Sequence, residues 1–187
     1  MDPVERVLAA LAALPGAASG PRVVGIDGPA GSGKSTLAAG IAARTGSPVV
    51  GVDDFLCWTD LDPDGVRWWP RLMAEVVEPF LAGRDSAYGR RDWGGDVEGL
   101  GVLPEPEPLR AGPLLVLEGV SVTRRAIADR LALRVWVEAP PVVRFARGIE
   151  RDGEAERAHW LHWQEMEASF FAEDGTRGRA DLVFRTA

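Results

Sequence analysis

The chain is poor in the residues that would point outside a reducing compartment. It has one cysteine, Cys57. An intramolecular disulfide is therefore excluded, and so is a cysteine-rich metal site. It has no basic excess: the formal net charge is −7. A general binder of nucleic acid or of an acidic membrane surface normally carries a basic balance or stripe, so both are unexpected as partners. It has no run of eighteen apolar residues, so no membrane span is expected. The first residues carry Asp2 and Glu5 instead of the basic start of a secretory signal, and they read as an amphipathic helix. A cytoplasmic protein is the expectation.

What is present is an ordinary globular composition, 46% hydrophobic and 26% charged over 187 residues. That fits a single domain over 1–187 with a sizeable core. Short apolar, β-branched runs alternate with helical patterns. Strands are expected at Arg22–Ile26, Pro48–Val52, Leu114–Leu117, Leu133–Val137 and Asp181–Arg185. Helices are expected at Val4–Leu14, Ser35–Arg44, Trp68–Leu81 (kinked or ended near Pro79), Thr123–Arg130, Val142–Arg151 and Glu154–Ala172. Near-continuously apolar strands suit a mostly parallel sheet covered on both faces, so the fold class is a three-layer α/β domain. The Gly- and Pro-rich stretch at about 84–113, with its run Pro104 to Pro108, is long for a structureless connection and reads as a functional or a disordered insertion.

One motif is specific. Gly28-Pro29-Ala30-Gly31-Ser32-Gly33-Lys34-Ser35-Thr36 follows the first strand directly and opens a helix, the context a P-loop requires. Glycines let successive backbone N–H groups converge on a polyphosphate, and the helix N-terminus adds its positive dipole end. Lys34 would reach the outer phosphates and the Ser35 hydroxyl would hold Mg²⁺. ATP or GTP is the expected ligand, bound through Gly28, Ala30, Gly31, Ser32, Gly33, Lys34, Ser35 and Thr36.

The second strand ends in two acids, Asp53 and Asp54, followed by Phe55. In an open α/β sheet, ligands sit outside the carboxyl ends of the strands, so Asp53 shares a rim with the P-loop. A carboxylate there can orient an acceptor hydroxyl and take its proton, hold Mg²⁺ through water, or cap the next turn. The residues alone leave the three open. Glu118 ends the third strand on the same rim, as a partner of Mg²⁺-bound water or of substrate, or as a turn cap. Arg144, Arg147 and Arg151 fall three and four apart on one helix face, suited to triphosphate oxygens or to exposed ion pairs.

"GPAGSGKS", "VDDFL" and "LVLEG" together resemble the uridine kinase family, within the wider group of P-loop kinases that includes pantothenate kinase and phosphoribulokinase. The resemblance runs from Val23 to Arg185. It implies a P-loop kinase fold with a lid at about 147–158, ATP and Mg²⁺ as cofactors, and transfer of the γ-phosphoryl group to an acceptor hydroxyl, by family a nucleoside such as uridine. Kinases of pantothenate, a sugar or a specialised metabolite are the alternatives, as is a P-loop NTPase switch with no small-molecule acceptor. The resemblance singles out Asp53 as the catalytic base and gives Glu118 the Walker-B-like place. "YGRRDW" is similar to the family's substrate stretch, which implies Asp92 on ribose or another polyol, Tyr88 or Trp93 against the acceptor, and Arg90 or Arg91 in polar contact. Arg147 and Arg151 match the start of the family lid and would touch the transferring phosphate. The lid then departs from the family, with Arg157 in place of an Arg-Gly-Arg run. Trp160, Trp163 and Phe170 read as the core face of the last helix, and His159 and His162 as surface positions. A homodimer is left open.

Overall fold

The computed structural model describes residues 2–15, 20–55, 68–93 and 101–187. Cys57 and Trp58 lie outside them. Five strands, β1 (Arg22–Asp27), β2 (Val49–Gly51), β5 (Leu114–Glu118), β6 (Leu133–Glu138) and β7 (Leu182–Arg185), form one sheet in the order β2-β5-β1-β6-β7. Every pairing in it is parallel.

Alternation along these strands makes two cores. Val24 and Ile26 of β1, Val116 of β5 and Val135 and Val137 of β6 face helices α1 (Pro3–Ala13) and α2 (Lys34–Thr45), meeting Val7, Leu11, Leu37 and Ile41. Val23, Leu115 and Leu117 face the other way, against Trp68, Leu72, Val76, Val77 and Phe80. Trp136 on that second face packs edge-on to Phe171 of α6 (Arg157–Asp174), with ring centroids 4.7 Å apart. Helices on both faces of a parallel sheet give the three layers expected.

Three local features differ from the sequence expectation. The Trp68–Leu81 segment ends near Pro79 as expected but is not one α-helix. It runs as α3 (Trp68–Leu72), a π turn (Met73–Val77) and α4 (Glu78–Leu81). Pro79 has no N–H to give to Glu75; widening the preceding turn, with Glu78 N–H on Met73 O, places the proline in the first turn of α4, where no donor is needed. The 84–113 stretch is not wholly loop: β3 (Ser86–Tyr88) and β4 (Glu107–Leu109) pair antiparallel. The helix expected over Thr123–Arg130 starts only at Arg125, as a 3₁₀ helix to Arg130, because the backbone N–H groups of Ser121 and Thr123 are taken by a buried carboxylate described below.

Helix α5 (Pro141–Asp152) turns back into α6 through Gly153 and a 3₁₀ turn, Glu154–Glu156. The two helices cross at Gly148, where a Cβ would stand 2.3 Å from the Trp160 ring. Gly148→Ala is therefore expected to cost about 1–3 kcal/mol through overpacking, read as a lowered Tm. An unchanged Tm would show that Trp160 has room to shift.

Candidate active site

The loop between β1 and α2 curls because its glycines allow it. Gly28 and Gly31 have φ of 139° and 74°. A Cβ at Gly28 would fall 2.0 Å from the Val137 carbonyl oxygen, and one at Gly31 would fall 2.6 Å from that of Arg144. Gly33 caps α2 in the left-handed region, and no side chain caps the helix. The first-turn N–H groups of a twelve-residue helix are thus left to an anion.

Two carboxylates for which the sequence suggested no role hold this loop from behind. Asp27, fully buried at the end of β1, accepts hydrogen bonds from Gly28 N (2.7 Å), Ser121 N (2.9 Å), Thr123 N (2.7 Å) and Thr123 Oγ1 (2.9 Å). Burial pushes its pKa up to about 6 against the pull of those bonds. It ties the start of the P-loop to the chain leaving β5. Glu167, 1% exposed, accepts from Ala30 N at 2.8 Å and from Arg144 Nη1 at 2.5 Å, and so latches α6 onto the loop. Both residues left a trace in the sequence. Asp27 is an acid closing an apolar strand just before the glycines. Glu167 falls on the apolar stripe of Trp160, Trp163 and Phe170.

The charged groups at the strand ends act on one another. Lys34 is buried, and its ammonium donates to Pro29 O at 3.0 Å. Burial lowers its pKa, while Glu118, Asp27, Glu167 and Asp53 raise it. Ser35 Oγ donates to Glu118 Oε1 at 3.2 Å. Glu118 is raised by burial, lowered by Lys34 and raised by Asp53. Asp53 sits in a 3₁₀ turn, Val52–Asp54, directly after β2. It is open to solvent at the rim, yet the surrounding protein raises its pKa, and Lys34 and Arg151 pull it back. The P-loop lysine, the metal-type hydroxyl, both rim carboxylates and one arginine therefore share a single electrostatic neighbourhood. Thr36 is exposed on the first turn of α2.

The insertion closes on the same rim. Trp93 Nε1 donates to Asp53 O at 3.2 Å and Arg91 N to Asp54 O at 2.9 Å. Tyr88 stacks on Phe55, centroids 5.4 Å apart, and its hydroxyl bonds the Asp54 carboxylate. Arg90 pairs with Asp54 at 3.1 Å and with Glu107 at 3.6 Å. Asp54 is thus the member that anchors the insertion, and Asp53 is the member that acts electrostatically on Lys34. Arg91 is buried and stacks over the Trp93 ring at 4.9 Å. Asp92 stands between Arg91 and Trp93, its N–H bonded to Gly101 O.

The arginine face of α5 divides three ways. Arg144 is buried against Glu167 and also donates to Ala30 O and Ala139 O. Arg147 donates to Gly31 O (3.1 Å), Thr186 Oγ1 (3.0 Å) and Ala187 O (2.6 Å), so it supports the P-loop backbone. Arg151 pairs with Asp152 and acts on Asp53 and Glu118. Arg157 pairs with Glu154, and His159 with Glu156. Among the described residues, no group of three or more His, Cys, Asp or Glu is placed to hold a metal ion, and no helix is long and apolar enough to cross a membrane.

Glycine cradle, buried lysine and rim carboxylates on a parallel sheet define a P-loop kinase fold. No protein-family model matches the chain, and no curated protein matches its sequence. Solved structures do match it. A possible uridine kinase from Bacillus stearothermophilus superposes with TM-score 0.69 at 19% identity, over 98% of this chain and 97% of that one. A protein provisionally described as a fructose transport system kinase, from Silicibacter sp. TM1040, gives 0.66 at 19% identity, over 98% and 99%. D-glycerate 3-kinase from Cryptococcus neoformans gives 0.65 at 12% identity, over 89% and 85%. At these identities the likeness is one of fold.

The residues present fit a nucleotide and a hard divalent cation. Lys34 and the uncapped amides suit phosphate, and Ser35 Oγ with Glu118 is an all-oxygen donor set.

Proposed function

We propose that the protein is a small-molecule kinase that moves the γ-phosphoryl group of ATP to an acceptor hydroxyl. The observation that carries this reading is the glycine cradle at an uncapped helix N-terminus, with Lys34 buried in it, Ser35 Oγ on Glu118 at 3.2 Å, and Asp53 in the turn that ends β2 on the same rim. The loop amides and Lys34 bind the phosphates. Asp53 accepts the acceptor's O–H and orients its oxygen in line with the γ-phosphorus. The new O–P bond forms as the bond from that phosphorus to the β–γ bridging oxygen breaks. The proton passes to Asp53, and ADP leaves with the bridging oxygen. Mg²⁺, when bound, offsets charge on the phosphate oxygens; Ser35 would hold it directly and Glu118 through water. Arg151 stabilises charge on the transferring group, and Arg147 holds the Gly31 carbonyl of the P-loop.

The family resemblance favours a nucleoside such as uridine as acceptor, and the possible uridine kinase among the matching structures supports that choice. Pantothenate, a sugar or a specialised metabolite are the alternatives. A coupled ADP-release assay against nucleosides, sugars and vitamins tests the reading. One class should raise ADP release well above the rate with ATP alone. Equal rates with every acceptor would replace the kinase by a P-loop NTPase of the switch type.

A further inference from the structure

We infer that the acceptor carries an oxyanion, a carboxylate or phosphate, besides the hydroxyl it presents to Asp53, and that Arg91 is the residue that recognises it. The inference rests on the kinase reading above, and among the acceptors named there it selects an anionic one such as pantothenate over a neutral nucleoside.

Arg91 is 6% exposed, and its Nε and Nη2 are buried with no hydrogen-bond partner among the described residues. A buried guanidinium left in that state is costly, because hydration is lost and nothing replaces it. These two nitrogens form one edge of the planar fork, the edge that takes both oxygens of a carboxylate in parallel. The chain uses this same edge repeatedly. Arg71 sets Nε and Nη2 on Glu75, Arg134 on Asp181, Arg151 on Asp152 and Arg177 on Glu138. In Arg91 alone of these five is the edge buried without a protein carboxylate.

Its placement points to the acceptor. The guanidinium lies over the Trp93 ring at 4.9 Å, and that indole donates to the backbone of Asp53 at 3.2 Å. One aromatic ring thus lies between the Arg91 guanidinium and the backbone of the residue proposed as base. Its neighbour Arg90 is already paired with Asp54 and Glu107. A molecule with a hydroxyl at one end and an oxyanion at the other would span from Asp53 to Arg91. Transfer itself is unchanged: the hydroxyl oxygen gains the phosphoryl group, its proton goes to Asp53, and the oxyanion takes no part in bond making.

The test uses matched acceptors: glycerol, glycerate and glycerol 3-phosphate; ribose, ribonate and ribose 5-phosphate; uridine, orotidine and uridine 5′-monophosphate. Turnover and calorimetric binding with a non-hydrolysable ATP analogue are measured for the wild type, Arg91→Met and Arg91→Lys. Methionine keeps bulk against Trp93 but not charge; lysine keeps charge but not the two-pronged edge. In at least one series an anionic member should have the lower KM, and the carboxylate and phosphate arms say which oxyanion. Arg91→Met should raise that KM by about 30-fold or more, with kcat and ATP affinity little changed, and Arg91→Lys should fall between. Preference for the neutral members, equal response of neutral and anionic members to Arg91→Met, or no anion binding at millimolar concentration overturns the inference. Neutral turnover independent of Arg91 would leave the kinase reading standing. Arg91-dependent anion binding without turnover would keep the anion site and remove the kinase reading.

Discussion

Asp53→Asn is expected to lower kcat for phosphoryl transfer by about 10²–10⁴-fold, the usual contribution of a positioned general base. ATP affinity should hold or rise slightly, because the mutation removes a negative charge that acts on Lys34 and on the phosphates themselves. The amide keeps the shape of the 3₁₀ turn after β2, and the Trp93 contact is to the Asp53 backbone, so the insertion stays docked. The pH profile carries a second signature. Loss of hydration raises the Asp53 pKa above the ordinary aspartate value, and a base works only when deprotonated. The acid limb of kcat/KM should therefore lie above the ordinary aspartate range, with rate rising as pH rises through it, and that limb should vanish in Asp53→Asn. Asp54→Asn makes the control. Its carboxylate serves Arg90 and Tyr88, so its loss should weaken acceptor KM and leave the limb in place. Full acceptor phosphorylation by Asp53→Asn would defeat the base assignment.

How much of this could be read in the chain depends on how local each cause is. The P-loop was legible because glycine freedom, strand ending and helix start lie within a dozen consecutive residues. The sheet was legible because its strands are buried on both sides, which shows as unbroken apolar runs. Asp27 gave no sign of its partners, which stand 94 and 96 residues away, and those partners in turn shortened the helix expected at Thr123. The β3–β4 hairpin hid in a proline-rich stretch because Pro108 opposes Ala87 in a two-stranded ribbon, where a missing donor on an outer edge is tolerated. Arg144, Arg147 and Arg151 share a helix face, as their spacing requires, but spacing cannot say that the first is buried on Glu167 and the second occupied by loop carbonyls. The π turn at Met73–Val77 likewise follows from fitting Pro79 into a helix whose apolar stripe must stay on the sheet.

Glu167→Ala should be strongly destabilising. It leaves the Arg144 guanidinium buried without its counter-charge and frees the Ala30 N–H inside the fold. Breaking a buried ion pair from one side costs about 3–5 kcal/mol, and for a domain of this size that is a fall in Tm of about 6–20 °C. The double change Arg144→Leu with Glu167→Leu separates stability from function. Removing both charges together should recover most of the lost Tm, since an apolar pair of similar bulk avoids the desolvation cost of the ions. ATP affinity should not recover with it. Glu167 reaches the P-loop from α6 across 137 residues of sequence and fixes the peptide that presents the Ala30 N–H, and leucine offers that peptide nothing. Calorimetry of nucleotide binding beside thermal melts checks both halves. A double variant with restored Tm and wild-type ATP affinity would reduce the Glu167 latch to packing alone.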